Sequence, residues 1–204
     1  VVSAWYMPFG LPGSRTARVN PVSPNICGST PGRSESTRGL LSKTHRPPNE
    51  PARTWTLGCS TGEEAYSLAI AFAEYCDDVG ASTPLQLFAT DLNAKWIDKA
   101  RAGVYSTDIQ KDVSPTRLRR FFNEVGGSYR IAKSIRDCCV FSRHNALTDP
   151  PFSRVDLISC RNLLIYLEPV LQQRIVPTLH FALKPGGCLW LGGSETLGAY
   201  ENLF

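Results

Sequence analysis

The sequence predicts an α/β fold, a mostly parallel sheet covered by helices on both faces, and three observations carry that prediction. From Thr54 onward short apolar runs alternate with longer amphipathic ones, the pattern of strands joined by crossover helices. At Leu57-Gly58-Cys59-Ser60-Thr61-Gly62-Glu63-Glu64 an apolar run closes on a glycine turn and an amphipathic run opens, so strand, turn and helix start follow one another. With 204 residues, 42% hydrophobic and 20% charged, the chain has room for one ordinary domain and an appendage.

The appendage is residues 1–53. They hold eight of the fifteen prolines, many Ser, Thr, Arg and Gly, and no sustained period of 2 or 3.6. Such a stretch buries too little apolar surface to offset its ordering entropy, and is expected to be disordered or loosely attached.

Residues 54–204 form the expected domain. Its first strand is Thr54 to Leu57, and its first helix runs from Gly62 to Cys76 with Ala65, Leu68, Ala69, Phe72, Ala73 and Cys76 in one apolar stripe. Thr61 followed three residues later by Glu64 reads as a capping box. A second strand, Leu85 to Thr90, leads through Asp91 to a helix over Ala94 to Ala102 that Gly103 terminates. A polar helical stretch spans Ser114 to Glu124, started by Pro115, with Leu118, Phe121 and Phe122 as its apolar set. Tyr129 to Ile135 and Cys138 to Phe141 read as short strands, the first in an antiparallel excursion and the second back in the main sheet. Val155 to Cys160 is a buried strand. Pro169 to Leu183 reads as a helix in which Pro177 predicts a kink or break. Lys184-Pro185-Gly186-Gly187 is a turn, and Cys188 to Leu191 a last strand.

Charge excludes one function class. The net charge of +4 divides into +5 over residues 1–53 and −1 over the rest, so the folded part carries no basic face for nucleic acid. Seven cysteines form an odd set without C-x-x-C spacing, which fits small hydrophobes in a reducing cytoplasm and no zinc site. His45, His144 and His180 share no spacing with each other or with an acid, so neither a metal nor a catalytic triad is expected. No apolar run reaches the roughly 18 to 20 residues that span a bilayer.

The chemistry gathers at strand tips. Where a phosphate-binding loop would carry Lys and then Ser or Thr, this turn has Glu63 and Glu64, so the ligand should offer hydroxyls and an ammonium. S-adenosylmethionine fits that description, its carboxylate meeting the helix N-terminus. The alternative is that Glu64 caps its own helix and Glu63 is solvated. Asp91, ending the second strand, is placed to accept both ribose hydroxyls, the alternative being a helix N-cap. Asn145 suits an adenine edge, or else forms an Asx-turn ahead of Asp149-Pro150-Pro151. Arg161, at the end of the fourth strand, can grip a carboxylate bidentately, and Tyr166 five residues on can donate to a substrate oxygen. The alternative pair is a surface Arg and a half-buried Tyr.

Together these segments resemble the chemotaxis receptor methyltransferase family, CheR. The matching stretches are Gly58-Cys59-Ser60-Thr61-Gly62-Glu63-Glu64-Ala65-Tyr66-Ser67, Ala89-Thr90-Asp91-Leu92-Asn93, Lys99 to Tyr105, Asp156-Leu157-Ile158-Ser159-Cys160-Arg161-Asn162-Leu163-Leu164-Ile165-Tyr166 and Leu183 to Gly187. The resemblance implies a class I methyltransferase, Rossmann-like sheet, incomplete at its terminal strand or strands. It implies methyl transfer from S-adenosylmethionine to glutamate carboxylates of a receptor. Cofactor contacts then fall to Glu63 or Glu64, Asp91, Asn145 with Ala146, and Arg161 with Asn162, while Tyr166 stands beside the methyl acceptor and Arg161 joins it in the catalytic set. The implied partner is the cytoplasmic domain of a methyl-accepting receptor, met by a cytoplasmic monomer with no nucleic acid and no membrane insertion. The family's Phe-Phe-Arg segment ahead of the first strand has no match in residues 1–53, and further strand sequence is expected after Gly192-Gly193-Ser194-Glu195-Thr196. The expectation is therefore a fragment whose first 50 or so residues come from a shifted frame or misassembled gene end. A silent cofactor-binding module and a small-molecule methyltransferase are the alternatives.

Overall fold

The computed structural model of the chain describes residues 15–18 and 50–204. The expected disorder of residues 1–53 lies outside the described residues, apart from a short strand β1 (Arg15–Arg18) and the start of β2 (Ala52–Leu57). No helix among the described residues is long and apolar enough to cross a membrane.

The main sheet has six strands in the order β1-β9-β8-β2-β3-β7, where β3 is Leu85–Asp91, β7 Cys139–Arg143, β8 Val155–Cys160 and β9 Leu183–Leu191. Five of them run parallel, and β1 lies antiparallel on the outer side of β9, from Arg15 opposite Leu191 to Arg18 opposite Cys188. Both faces of the sheet are covered, which is why its strands read as unbroken apolar runs. Along β2, Trp55 and Leu57 enter one core, with Phe88, Ile158, Cys160, Leu189 and Leu191 beside them. The alternate residues Leu87, Ala89, Leu157, Cys188 and Trp190 enter the other.

Helix α1 (Glu63–Val79) and α2 (Ala94–Ala102) each end on a left-handed glycine, Gly80 and Gly103, that returns its N–H to the last turn. Gly62 at the start of α1 has φ 94°, and a Cβ there would stand 3.0 Å from the Ala100 Cβ and 3.2 Å from Phe141. That close approach locks α1 against α2 and the sheet. A second sheet, in the order β4-β6-β5, is the antiparallel excursion, built from β4 (Val104–Ser106), β5 (Phe122–Val125) and β6 (Ser128–Ile131).

Four expectations are corrected. The helix predicted to Glu124 is α3 (Pro115–Phe121), because Phe122 onward pairs with β6 instead of continuing the turn. The strand predicted to Ile135 stops at Ile131, and one turn of helix, α4 (Lys133–Arg136), follows. Helix α5 (Pro169–Ala182) runs unbroken through Pro177, which is exposed beside Gln173, so the carbonyl left without a donor is within reach of water. Lys184 to Gly187 lie inside β9 as a bulge: Val155 pairs with Leu183 but Leu157 with Cys188, and Gly186 takes φ 78° to absorb the excess.

Candidate functional site

Chain order puts β3 and then β7 on one side of β2, and β8 and then β9 on the other. Loops leaving the carboxyl ends at such a reversal diverge and leave a crevice. Here it is a cleft of about 980 Å³, and every residue singled out from the sequence lines it.

The glycine turn forms its floor. Gly58, Ser60 and Gly62 all take positive φ, 63°, 49° and 94°. Asp91, buried at the tip of β3, holds the turn from below: one carboxylate oxygen accepts from the Ser60 N–H at 2.9 Å and the other from the Asn93 N–H at 2.9 Å. Asp91 is therefore not the N-cap of α2. That position belongs to Asn93, whose side chain accepts from the N–H groups of Lys95 and Trp96. A carboxylate has about four lone-pair sites, so Asp91 retains acceptor capacity for a ligand.

The capping box expected of Thr61 and Glu64 does not form, and no side chain caps α1. Thr61 donates its hydroxyl to Glu63, 2.6 and 2.7 Å from the two carboxylate oxygens, and its carbonyl accepts from the Tyr105 hydroxyl at 2.9 Å. Burial and the neighbouring Glu63 charge hold the Tyr105 phenol well above its ordinary range. Glu64 turns inward, accepting from the Ser159 hydroxyl and facing an Arg161 Nη at 3.6 Å. Its side chain is 15% exposed, that of Arg161 11%. Burial raises the Glu64 pKa, against the lowering pull of Arg161 and Ser159. The Arg161 guanidinium also lies over the Trp190 ring, 4.9 Å from its centroid. Arg161 is thus neither a surface Arg nor an open fork; its Nε is buried and has no hydrogen-bond partner among the described residues.

On the far wall Asn145 forms the Asx-turn, its side-chain oxygen accepting from the Leu147 N–H at 3.0 Å, while its amide NH₂ is uncommitted to that turn. Ala146 packs on the core beside it. Asn162 stands exposed with φ 55°, and Tyr166, 77% exposed, is at the mouth. Sequence reasoning gave no site role to Tyr105, which it placed only in a matching stretch, or to His144, which it set aside as metal ligand and triad member; both line the cleft, and His144 places Nε2 3.1 Å from the Pro150 carbonyl.

The donor set fits the sulfonium nucleoside. The first turn of α1 offers N–H groups that no side chain caps, suited to a carboxylate, and Glu63 and Asp91 offer acceptors for an ammonium and for hydroxyls.

An open parallel sheet with an acid-lined crevice at its topological reversal is a nucleoside-binding α/β architecture. The family described as CheR methyltransferase, SAM binding domain, matches residues 36–204, beginning ahead of Gly58, where the first of the matching stretches starts. The chain belongs to that family. It is 48% identical over 152 residues to an uncharacterized 104.1 kDa protein in the hypE 3' region of Rhodobacter capsulatus, covering 74% of this chain and 16% of that one. It is 37% identical over 150 residues to chemotaxis protein methyltransferase 1 of Pseudomonas aeruginosa, covering 71% and 55%. Against chemotaxis protein methyltransferase 2 of Vibrio cholerae it is 30% identical over 164 residues, covering 78% and 56%. The chain thus spans little more than half the length of these methyltransferases.

Proposed function

We propose that this domain binds S-adenosylmethionine and transfers its methyl group to glutamate carboxylates of a chemotaxis receptor, as a cytoplasmic monomer. The observation that carries the reading is the convergence on one cleft of Glu63 from the start of α1, Asp91 from the tip of β3 and Tyr166 from the segment after β8.

When bound, S-adenosylmethionine supplies an electrophilic methyl carbon with a neutral thioether as leaving group. The acceptor carboxylate, held by Tyr166, would gain a C–O bond to that carbon in exchange for the C–S bond, whose electron pair would remain on sulfur. A carboxylate is already ionised at neutral pH, so no proton moves and no general base is needed. What the chain does is bind and orient. Asp91 accepts the ribose hydroxyls, Glu63 the ammonium, and the first turn of α1 takes the carboxylate. Asn145 and Ala146 would border the adenine, and Asn162 would be a further cofactor contact. Tyr166 donates to the acceptor carboxylate at the mouth. Glu64 and Arg161, paired with each other in the lining of the cleft, hold the start of α1 to the segment that leaves β8. Alignment of two reactants in one desolvated cleft is the rate-raising device.

The test is calorimetric titration with S-adenosylhomocysteine, then an assay of methyl-ester formation on a receptor fragment. Binding followed by ester supports the proposal. Binding without ester favours a silent module, ester on a small metabolite alone favours the third reading, and failure to bind overturns it.

A further inference from the structure

The buried carboxylate of Glu195 accepts three backbone bonds and has no part in the chemistry above. It is 4% exposed. One of its oxygens accepts from the N–H groups of both Leu163 and Leu164, each at 2.8 Å, and the other from the Gly192 N–H at 2.6 Å. It therefore ties the exit of β9 to the segment that leaves β8, about thirty residues away. That segment runs Arg161, Asn162, Leu163, Leu164, Ile165, Tyr166, and its second half is a single short turn, Leu164–Tyr166, whose N-cap residue Leu163 brings no capping side chain of its own. Glu195 satisfies the donors at the start of the turn, while the Gln172 amide donates to the carbonyls of Leu164, its first residue, and Leu167, just past its last, both at 3.0 Å. Gly192 is shaped for the arrangement: a Cβ there would stand 2.7 Å from the Glu195 oxygen.

We infer that Glu195 is a positioning residue, which fixes the Arg161–Tyr166 segment at the cleft so that Asn162 and Tyr166 meet their ligands, while itself touching neither. Three N–H groups converging on one carboxylate demand two acceptor oxygens, which Gln cannot provide: its NH₂ must confront either Gly192 or the Leu163–Leu164 pair. The inference rests on the functional reading for its effect on ligand, and on geometry alone for its effect on the segment.

The experiment compares the full chain with Glu195→Gln and with Gly192→Ala, which retains the charge but displaces the carboxylate. Amide hydrogen exchange and calorimetric titration with S-adenosylhomocysteine are read on each. Loss of the charged acceptor in Glu195→Gln, and its displacement from the Leu163 and Leu164 N–H groups in Gly192→Ala, should each speed exchange over residues 161–167 roughly tenfold to a hundredfold, with β2, β3 and β8 unchanged. Affinity should fall on the order of tenfold, the scale seen when a group that orients a ligand-holding residue is lost. Unchanged exchange in the segment overturns the inference, as does acceleration spread evenly through the domain, which marks a merely structural residue. Local acceleration with unaltered affinity also overturns it. If the unmodified chain does not bind the probe, the cofactor reading fails, and exchange at 161–167 alone then decides the role of Glu195.

Discussion

At Asp91 one carboxylate both secures the glycine turn, through Ser60, and faces the cleft, so its replacement acts on two levels. Asp91→Asn keeps the shape and removes charged acceptors worth about 1.5–3 kcal/mol each, so S-adenosylhomocysteine affinity should drop roughly tenfold to a hundredfold in a calorimetric titration. Glu64 answers differently, because its folded-state pKa is raised by burial. A carboxyl with a raised folded pKa binds its proton more tightly in the native chain, so its contribution declines as pH rises from the ordinary value of 4.5 towards the raised one. Glu64→Gln mimics the protonated form and lacks that loss. The melting temperature of the variant relative to the parent should therefore climb between about pH 4 and pH 7; a difference that stays flat or falls across that window contradicts the assignment. The sequence showed that Glu63, Glu64, Asp91 and Tyr166 share a strand-tip neighbourhood, since each follows an apolar run. It did not show that Glu64 pairs with Ser159 and Arg161, because those partners lie 95 or more residues away and a local capping pattern competes for the same residue.

Helix α1 shows what an element requires of its first residue. At Gly62 the positive φ and the 3.0 Å approach to Ala100 leave no place for a side chain. Gly62→Ala should reduce unfolding free energy by about 2–4 kcal/mol in a urea titration, summing left-handed backbone strain and overpacking. The glycine turn was legible because φ and spacing are local properties. So were the five parallel strands, whose apolar runs mark burial on both sides. The end of α3 at Phe121 was not, since Phe122 is as apolar as its neighbours and only pairing with Ile131 makes it a strand. Nor was the continuity of α5 through Pro177, which depends on that residue being at the surface. The role of Glu195 was hidden for a related reason: its three donors are backbone groups, which leave no trace in side-chain identity.

Across the whole domain the cleft is assembled from loops after β2, β3, β7 and β8, so a ligand that bridges them links segments the sheet alone holds apart. Binding confined to the folded state stabilises it by mass action, about 2.7 kcal/mol at a hundredfold excess over Kd. For a domain of this size S-adenosylhomocysteine at that level should raise the melting temperature by about 5–10 °C in a scanning fluorimeter. The two cores on opposite faces of the sheet meet the cleft from both sides, Ala65 and Ala100 beneath one wall and Leu163 with Leu164 beneath the other.

The stack of Arg161 on Trp190 has an optical consequence. Trp190 is 8% exposed and lies under the guanidinium of Arg161, a residue that lines the crevice, 4.9 Å from its ring centroid. Any occupant that draws Arg161 away from the indole, or presses it closer, alters the emission of that chromophore, giving the protein a built-in fluorescent gauge of what its floor is doing.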